Sequence, residues 1–328
     1  MPVGGGVRKI ADSRSRLRYR RRVGSTLPSV DAGARQRLTA RFGNQIAPWL
    51  DELPGVLRAL AQRWQFELGP PVPRGSMSVV VRCRLDDGRG AVLKASPDHA
   101  RLAYEAAALE GWHTGHTPAV LALDEQLGAL LLEAIEPGTP LVVTSTYPDL
   151  ERVAELLRSL HTSGVPDPTY PTVTQRVAYL FDASTTLYHR HPELTALVPP
   201  ELYERGRRLA TRLAQDASAI VLLHGDLTLS NLLDGGAERG LVAIDPAPCL
   251  GDPAFDAVDL LCWQADDVET ITARTQRLAA ATGTHAERLL GWCTAFAGMI
   301  ALELASQGNG ARPATAALLG LAAQAPTD

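Results

Sequence analysis

A chain of 328 residues, 45% of them hydrophobic, can bury a sizeable core and is long enough for two domains. Its formal charge of −4 and pI near 6.1 lack the basic footprint of a general nucleic-acid binder, so no nucleic-acid partner is expected. No uninterrupted apolar run reaches the roughly 18 residues of a membrane span, and no such run follows the basic N-terminus, so neither membrane partner nor secretory signal is expected.

Residues 1–22 hold eight basic side chains against one acid, which leaves the rest of the chain at −11. Residues 1–34 are rich in Gly, Ser and Arg without apolar periodicity and read as a disordered basic extension. An over-called start, with the protein beginning near residues 23–30, and a membrane- or nucleic-acid-binding arm are the other readings. From about Asp31 to Trp64 apolar residues (Ile46, Leu50, Leu53, Leu57, Leu60, Trp64) recur at steps of three and four, the period of a helix.

The rhythm then changes. Ser78–Leu85 and Ala91–Ala95 are β-rich runs joined by Asp86-Asp-Gly-Arg-Gly90, a hairpin pattern. Ser96-Pro97-Asp98 reads as an N-cap, a proline at the first helical position and an acid in the first turn of a helix ending near Trp112. Strands at Ala119–Leu123 and Ala129–Glu133 flank a turn at Gln126-Leu-Gly128. After Pro137-Gly138 the pattern is helical over 148–163, 172–189 and 199–217, with short apolar runs at Ile220–Leu223, Asn231–Leu233 and Leu241–Ile244. Helices resume from Pro253. The expectation is an α+β chain: a small antiparallel-sheet lobe over 35–135 and a larger, mainly helical lobe over 136–328.

Cysteines 83, 249, 262 and 293 are widely spaced with no C-x-x-C pair, as in buried thiols of a reducing cytoplasm. His113 and His116 lack nearby cysteines or carboxylates and read as a surface turn.

Chemically capable residues are densest at His224-Gly-Asp-Leu-Thr-Leu-Ser-Asn231, followed by Ile244-Asp245-Pro246. Each polar group stands at the edge of an apolar strand, on a rigid support. Phosphoryl transfer requires one carboxylate to orient a hydroxyl and oxygen ligands to hold Mg²⁺. Because Mg²⁺ keeps several waters, one carboxylate and one amide oxygen suffice. Asp226 can serve as the first part, Asn231 and Asp245 as the second.

The order H-G-D-x-x-x-x-N, a short hairpin and I-D-P resembles the catalytic and metal loops of aminoglycoside phosphotransferases, and through them H-R-D-x-x-x-x-N and D-F-G of protein kinases. The continuation Pro246-Ala-Pro-Cys-Leu-Gly-Asp-Pro-Ala-Phe-Asp256 is similar to the streptomycin and hydroxyurea kinase branch of that family. The resemblance spans most of residues 45–300 and includes Pro48–Pro54 and Leu130–Glu133.

It implies a protein-kinase-like two-lobe fold and an ATP- and Mg²⁺-dependent O-phosphotransferase. Asp226 would be the catalytic base and Asn231 and Asp245 the Mg²⁺ ligands. Lys94 would pair with the α/β-phosphates, braced by Glu105. The backbone from Glu133 to Ile135 would meet adenine, and His224 and Asp256 would brace the catalytic loop. The chain departs from the family at Thr228, where many members carry a histidine, and at Pro73-Arg-Gly-Ser-Met-Ser78, which has one glycine where a Gly-rich loop is usual. Ser76 and Ser78 could still touch phosphate.

Lysine usage supports Lys94 independently. The chain has 30 arginines and two lysines, and Lys94 is the one within the expected fold; a compact ammonium suits phosphate. Read singly, Asp245 could start a turn, Asn231 could cap a strand edge and Glu110 could replace Glu105. Asp252, in Gly-Asp-Pro, reads as a helix N-cap. The expected substrate is a small hydroxyl-bearing molecule: an antibiotic of the streptomycin type, then hydroxyurea. A metabolite kinase and a pseudokinase are the alternatives, and the chain is expected to be a monomer or homodimer.

Overall fold

The computed structural model describes residues 31–73, 77–144 and 146–327. Ser76, the tip of the expected phosphate loop and most of the expected extension lie outside the described residues. Two compact units emerge. One runs to Glu110 and includes Pro118–Ile135; the other joins Gly111–Thr117 to the chain from Glu136 onward.

The first unit opens with α1 (Ala32–Phe42), whose N-cap Asp31 accepts the Ala34 N–H at 2.7 Å. The helix thus begins where the helical pattern was expected to start, near Asp31, and the boundary drawn at residue 34 falls inside it. Helix α2 (Ala47–Trp64) buries Leu50, Leu53, Leu57 and Leu60 as one stripe. That stripe packs with Phe66, Val79, Val81 and Leu93 of the sheet in a single core, each side chain contributing about 1.5–3 kcal/mol by leaving water.

The sheet holds β1 (Phe66–Pro71), β2 (Val79–Leu85), β3 (Gly90–Ala95), β4 (Val120–Asp124) and β5 (Ala129–Glu133), in the order β1-β2-β3-β5-β4, all pairs antiparallel. Strand β1 was not expected from its Gly69-Pro70-Pro71. It lies at the sheet edge, where a residue without an N–H is tolerated. Helix α3 (His99–Gly111) is entered through Asp98, whose carboxylate accepts the Arg101 N–H at 3.1 Å. The expected cap, Ser96, instead accepts the Asp98 N–H at 3.1 Å, two residues too early to cap the helix.

The second unit begins with β6 (Thr139–Pro140), α4 (Leu141–Thr144), α5 (Leu150–Ser163), α6 (Val173–Arg190) and α7 (Pro200–Gln215). Strand β7 (Val221–Leu223) follows, then β8 (Leu232–Asp234), α8 (Gly236–Arg239), β9 (Leu241–Ala243), β10 (Cys249–Gly251), α9 (Val258–Cys262), α10 (Val268–Thr282), α11 (Ala286–Leu304) and α12 (Pro313–Ala322). Strands β7 and β10 pair antiparallel, and β6, β8 and β9 form a three-stranded sheet. Gly111–Thr117 belongs to this unit because Ala243 N–H and the Arg239 guanidinium donate to the carbonyls of His116, Gly115 and Thr117.

Helix α11 is the core of the second unit. With its continuation to Asn309 it is long and apolar enough to cross a membrane, but most of that apolar stretch is buried inside the fold. Its Trp292 and Phe296 meet Phe255 and Phe181 at ring separations of 5.3–5.6 Å. Gly206 of α7 lets that helix approach α11, since a Cβ there would lie 2.4 Å from the Ala295 carbonyl. All four cysteines are buried free thiols.

Candidate active site

In the second unit, β7 delivers the chain into His224-Gly225-Asp226, and the site is built from backbone bonds outward. Asp256, buried in the 3₁₀ turn Pro253–Ala257, accepts the N–H groups of His224 and Gly225, each at 2.9 Å. Its carboxylate also takes the Nε2–H of His161 at 3.0 Å. Burial alone would raise this carboxyl, but the His161 bond and charge and the Gly225 N–H carry it below the ordinary range. Asp252, the N-cap of the same turn, accepts from Ala254 N–H, Arg288 and the Trp292 indole.

His224 is fully buried and stacks on Trp112 with ring centroids 6.3 Å apart. Its Nδ1 accepts the Asp226 N–H at 3.3 Å, so Nε2 carries the proton and donates to the Ile244 carbonyl at 3.0 Å. Burial lowers its pKa and keeps the ring neutral. This histidine is a strut between two loops.

Gly225 makes the turn possible. It has φ of +75°, and a Cβ there would sit 2.0 Å from the Ala247 carbonyl oxygen. Gly225→Ala is accordingly expected to lower the melting temperature and to displace the loop, a loss that thermal melting and a turnover assay would both register.

Asp226 comes next. Its carboxylate is half-exposed, held at Oδ2 by the Asn231 side-chain amide at 3.1 Å and approached at Oδ1 by Arg176 of α6 at 3.5 Å. The Asn231 amide nitrogen also donates to the Asp226 carbonyl at 2.8 Å. Reversing that amide would set oxygen against two oxygens, so its own oxygen is directed away from Asp226.

Asp245 reaches the same end through the β8–β9 hairpin. The register pairs Leu232 with Ala243, and the Ile244 N–H bonds the Asn231 carbonyl at 2.9 Å, continuing the ladder by one residue. Ala247 N–H then bonds the His224 carbonyl at 2.9 Å. Asp245 is thus bracketed by bonds to the Asp226 loop, and it adopts φ of +59°, a conformation that costs a non-glycine residue about 1–3 kcal/mol. One carboxylate and one amide oxygen are the hard donors that Mg²⁺ takes alongside water and phosphate, so this pair fits that cation. Among the described residues no three His, Cys, Asp or Glu side chains gather as an all-protein metal cage.

In the first unit, Lys94 on β3 and Glu105 on α3 form a buried ion pair, with Nζ 2.5 and 2.6 Å from the two carboxylate oxygens. Glu105 is 2% exposed, whereas Glu110 on the same helix faces solvent. At the end of β5 the N–H groups of Glu133 and Ala134 bond the carbonyls of Ala119 and Gly90. Ile135, beyond the strand, is buried, as is Ser78 ahead of β2.

Arg176, Glu303 and His161 were not anticipated from the sequence. Arg176 also donates through Nε to the Gly225 carbonyl at 3.0 Å. Glu303 of α11 accepts from Ser184 at 2.7 Å and is pushed up by burial and by the charge of Asp226. Asp259 of α9 keeps solvent access although protein surrounds it; desolvation first, then the charges of Asp226 and Glu303, raise its carboxyl to about 7. Between the ordinary carboxylate range and pH 7 the native chain therefore holds a proton that the unfolded chain has released, and stability falls as pH rises. Asp259→Asn is expected to raise the melting temperature at pH 8 and to lose that advantage near pH 4, as paired thermal melts would show.

An antiparallel sheet unit with a buried lysine–glutamate pair and a helical unit with an H-G-D loop locked to an Asp-Pro loop define a protein-kinase-like phosphotransferase. Choline kinase LicA from Streptococcus pneumoniae shares the fold, with a TM-score of 0.56 at 15% identity over 83% of this chain and 99% of that one. The chain belongs to the aminoglycoside/hydroxyurea antibiotic resistance kinase family, whose profile matches residues 63–308. It is 27% identical over 266 residues to streptomycin 6-kinase of Streptomyces glaucescens, covering 76% of this chain and 82% of the relative. It is 28% identical over 289 residues to hydroxyurea phosphotransferase of Kitasatospora aureofaciens, covering 83% and 78%. The chain is therefore an enzyme, a small-molecule kinase of the antibiotic-resistance type.

Proposed function

We propose that this kinase is an ATP- and Mg²⁺-dependent O-phosphotransferase of the cytoplasm whose acceptor is a cationic, hydroxyl-bearing antibiotic of the streptomycin type. The observation that carries the reading is the half-exposed Asp226 carboxylate, held by Asn231 on a loop that is itself bonded to the Asp245 loop.

Asp226 orients the acceptor hydroxyl and takes its proton as the oxygen becomes nucleophilic. The Asn231 amide oxygen and the Asp245 carboxylate hold the cation. Lys94, braced by Glu105, binds the α/β-phosphates; Ser78 and Ser76 serve the phosphate loop, and the backbone from Glu133 to Ile135 meets adenine. When bound, Mg-ATP supplies the phosphoryl group and the charge that offsets the phosphate oxygens.

The acceptor's charge follows from the surroundings of Asp226. The charge of Asp226 adds to burial in raising the carboxyls of Asp259 and Glu303, so the three resist full ionisation even with the Arg176 guanidinium beside Asp226, a mutual repulsion. A guanidinium- or amine-bearing acceptor relieves it, whereas neutral hydroxyurea gains little. A panel of streptomycin, other aminoglycosides, hydroxyurea, choline and simple sugars, assayed for ADP release with mass spectrometry of the product, tests the proposal. Streptomycin-type acceptors are expected to gain one phosphate. ADP release with a neutral sugar or hydroxyurea alone would displace the cationic reading, and release with none would remove the kinase assignment for these substrates.

A further inference from the structure

The carboxylate of Asp226 is half-exposed, so packing does not fix its rotamer, yet a group that must aim one oxygen at a hydroxyl needs a fixed one. Asn231 holds Oδ2 through its amide nitrogen, while its amide oxygen is the candidate cation ligand, and it does not reach Oδ1. The remaining contact is on the opposite oxygen, from Arg176.

Arg176 is itself well anchored. It stands in the first turns of α6, whose start is set by a capping box between Thr172 and Gln175. The residue before that cap, Pro171, accepts the Leu250 N–H at 2.8 Å, and Thr172 bridges Leu250. Leu250 lies on β10, the partner of β7, the strand that delivers the Asp226 loop. The guanidinium is thus tied by backbone to the same strand pair as the loop it touches.

From there it uses two edges. Nε donates to the Gly225 carbonyl at 3.0 Å, while Nη2 approaches Asp226 Oδ1 at 3.5 Å. Its guanidinium carbon lies over the ring of Tyr179, one turn along α6, 5.6 Å from the centroid. The side chain is 13% exposed. A surface arginine placed for solubility would be solvated at its fork; this one spends both edges on two consecutive residues of one loop.

We infer that Arg176 is a positioning residue of the phosphotransfer: by gripping the carbonyl of Gly225 and the Oδ1 of Asp226 together, it fixes the peptide and the rotamer that aim Asp226. This rests on Asp226 being the base. Arg176 touches neither substrate nor nucleotide in this role, so it acts on turnover and not on binding.

The test compares wild type with Arg176→Met, Arg176→Gln, Arg176→Lys and Asp226→Asn, using the best acceptor from the panel and melting curves for each variant. Arg176→Met is expected to lose on the order of 10² in kcat, with KM for nucleotide and acceptor within about twofold. Arg176→Lys and Arg176→Gln each keep one donating nitrogen in place of two and are expected to recover part of the loss. Unchanged kcat in Arg176→Met, or a loss confined to KM, would overturn the inference. If Arg176→Met fails to fold, wild-type kcat in both folded Lys and Gln variants overturns it, and reduced kcat at unaltered KM supports it. Wild-type turnover in Asp226→Asn would instead bring down the assignment of the base, a failure recognisable as separate.

Discussion

Replacing Asp226 with alanine is expected to lower kcat by at least about 10²–10⁴, the range contributed by a positioned general base. Binding of ATP should stay within about twofold. The separation has a structural reason. The Asp226 carboxylate is half-exposed, so truncating it opens no core cavity. Asn231 loses one acceptor, Oδ2, but keeps the Asp226 carbonyl at 2.8 Å, and the loop keeps the two N–H bonds to Asp256. Asp226→Asn is the sharper version, since it preserves shape and loses basicity. Product formation by mass spectrometry, with nucleotide binding by calorimetry on the same preparation, gives both numbers. Retained turnover in either variant would show that the proton leaves by another route.

What could be read in the sequence was what is local. The H-G-D-x-x-x-x-N run and the Asp-Pro that follows a short hairpin fold against one another within about twenty residues, so order and spacing carry their geometry. The α2 stripe was legible for the same reason: four leucines at helical spacing become four buried side chains. Strand β1 was not, because Gly69-Pro70-Pro71 argues against a strand except at a sheet edge, and edge position is a property of the whole sheet. The α3 cap moved from Ser96 to Asp98 because two good capping side chains stood two residues apart and backbone geometry chose between them. Arg176 was hidden twice over. It precedes Asp226 by fifty residues, and in a chain with 30 arginines one more carries no signal. Lys94 was visible for the opposite reason.

The lysine gives the second large effect, and here stability and function should part. Lys94→Met leaves the Glu105 carboxylate, 2% exposed, without its ammonium. Breaking one side of a buried ion pair costs about 3–5 kcal/mol, because the remaining charge stays desolvated. The melting temperature should therefore fall by several degrees, and nucleotide affinity with it. Replacing both partners by apolar residues of similar volume is often neutral or stabilising. Lys94→Met combined with Glu105→Leu should accordingly recover most of the lost melting temperature while nucleotide binding stays weak. Three preparations decide the matter: wild type, single and double variant, each followed by thermal melting and calorimetric titration with ATP. If the double variant regains affinity along with stability, the single variant's defect was misfolding and Lys94 does not meet the phosphates. If stability returns and affinity does not, the ammonium is what the nucleotide requires, and Glu105 serves to hold it on β3.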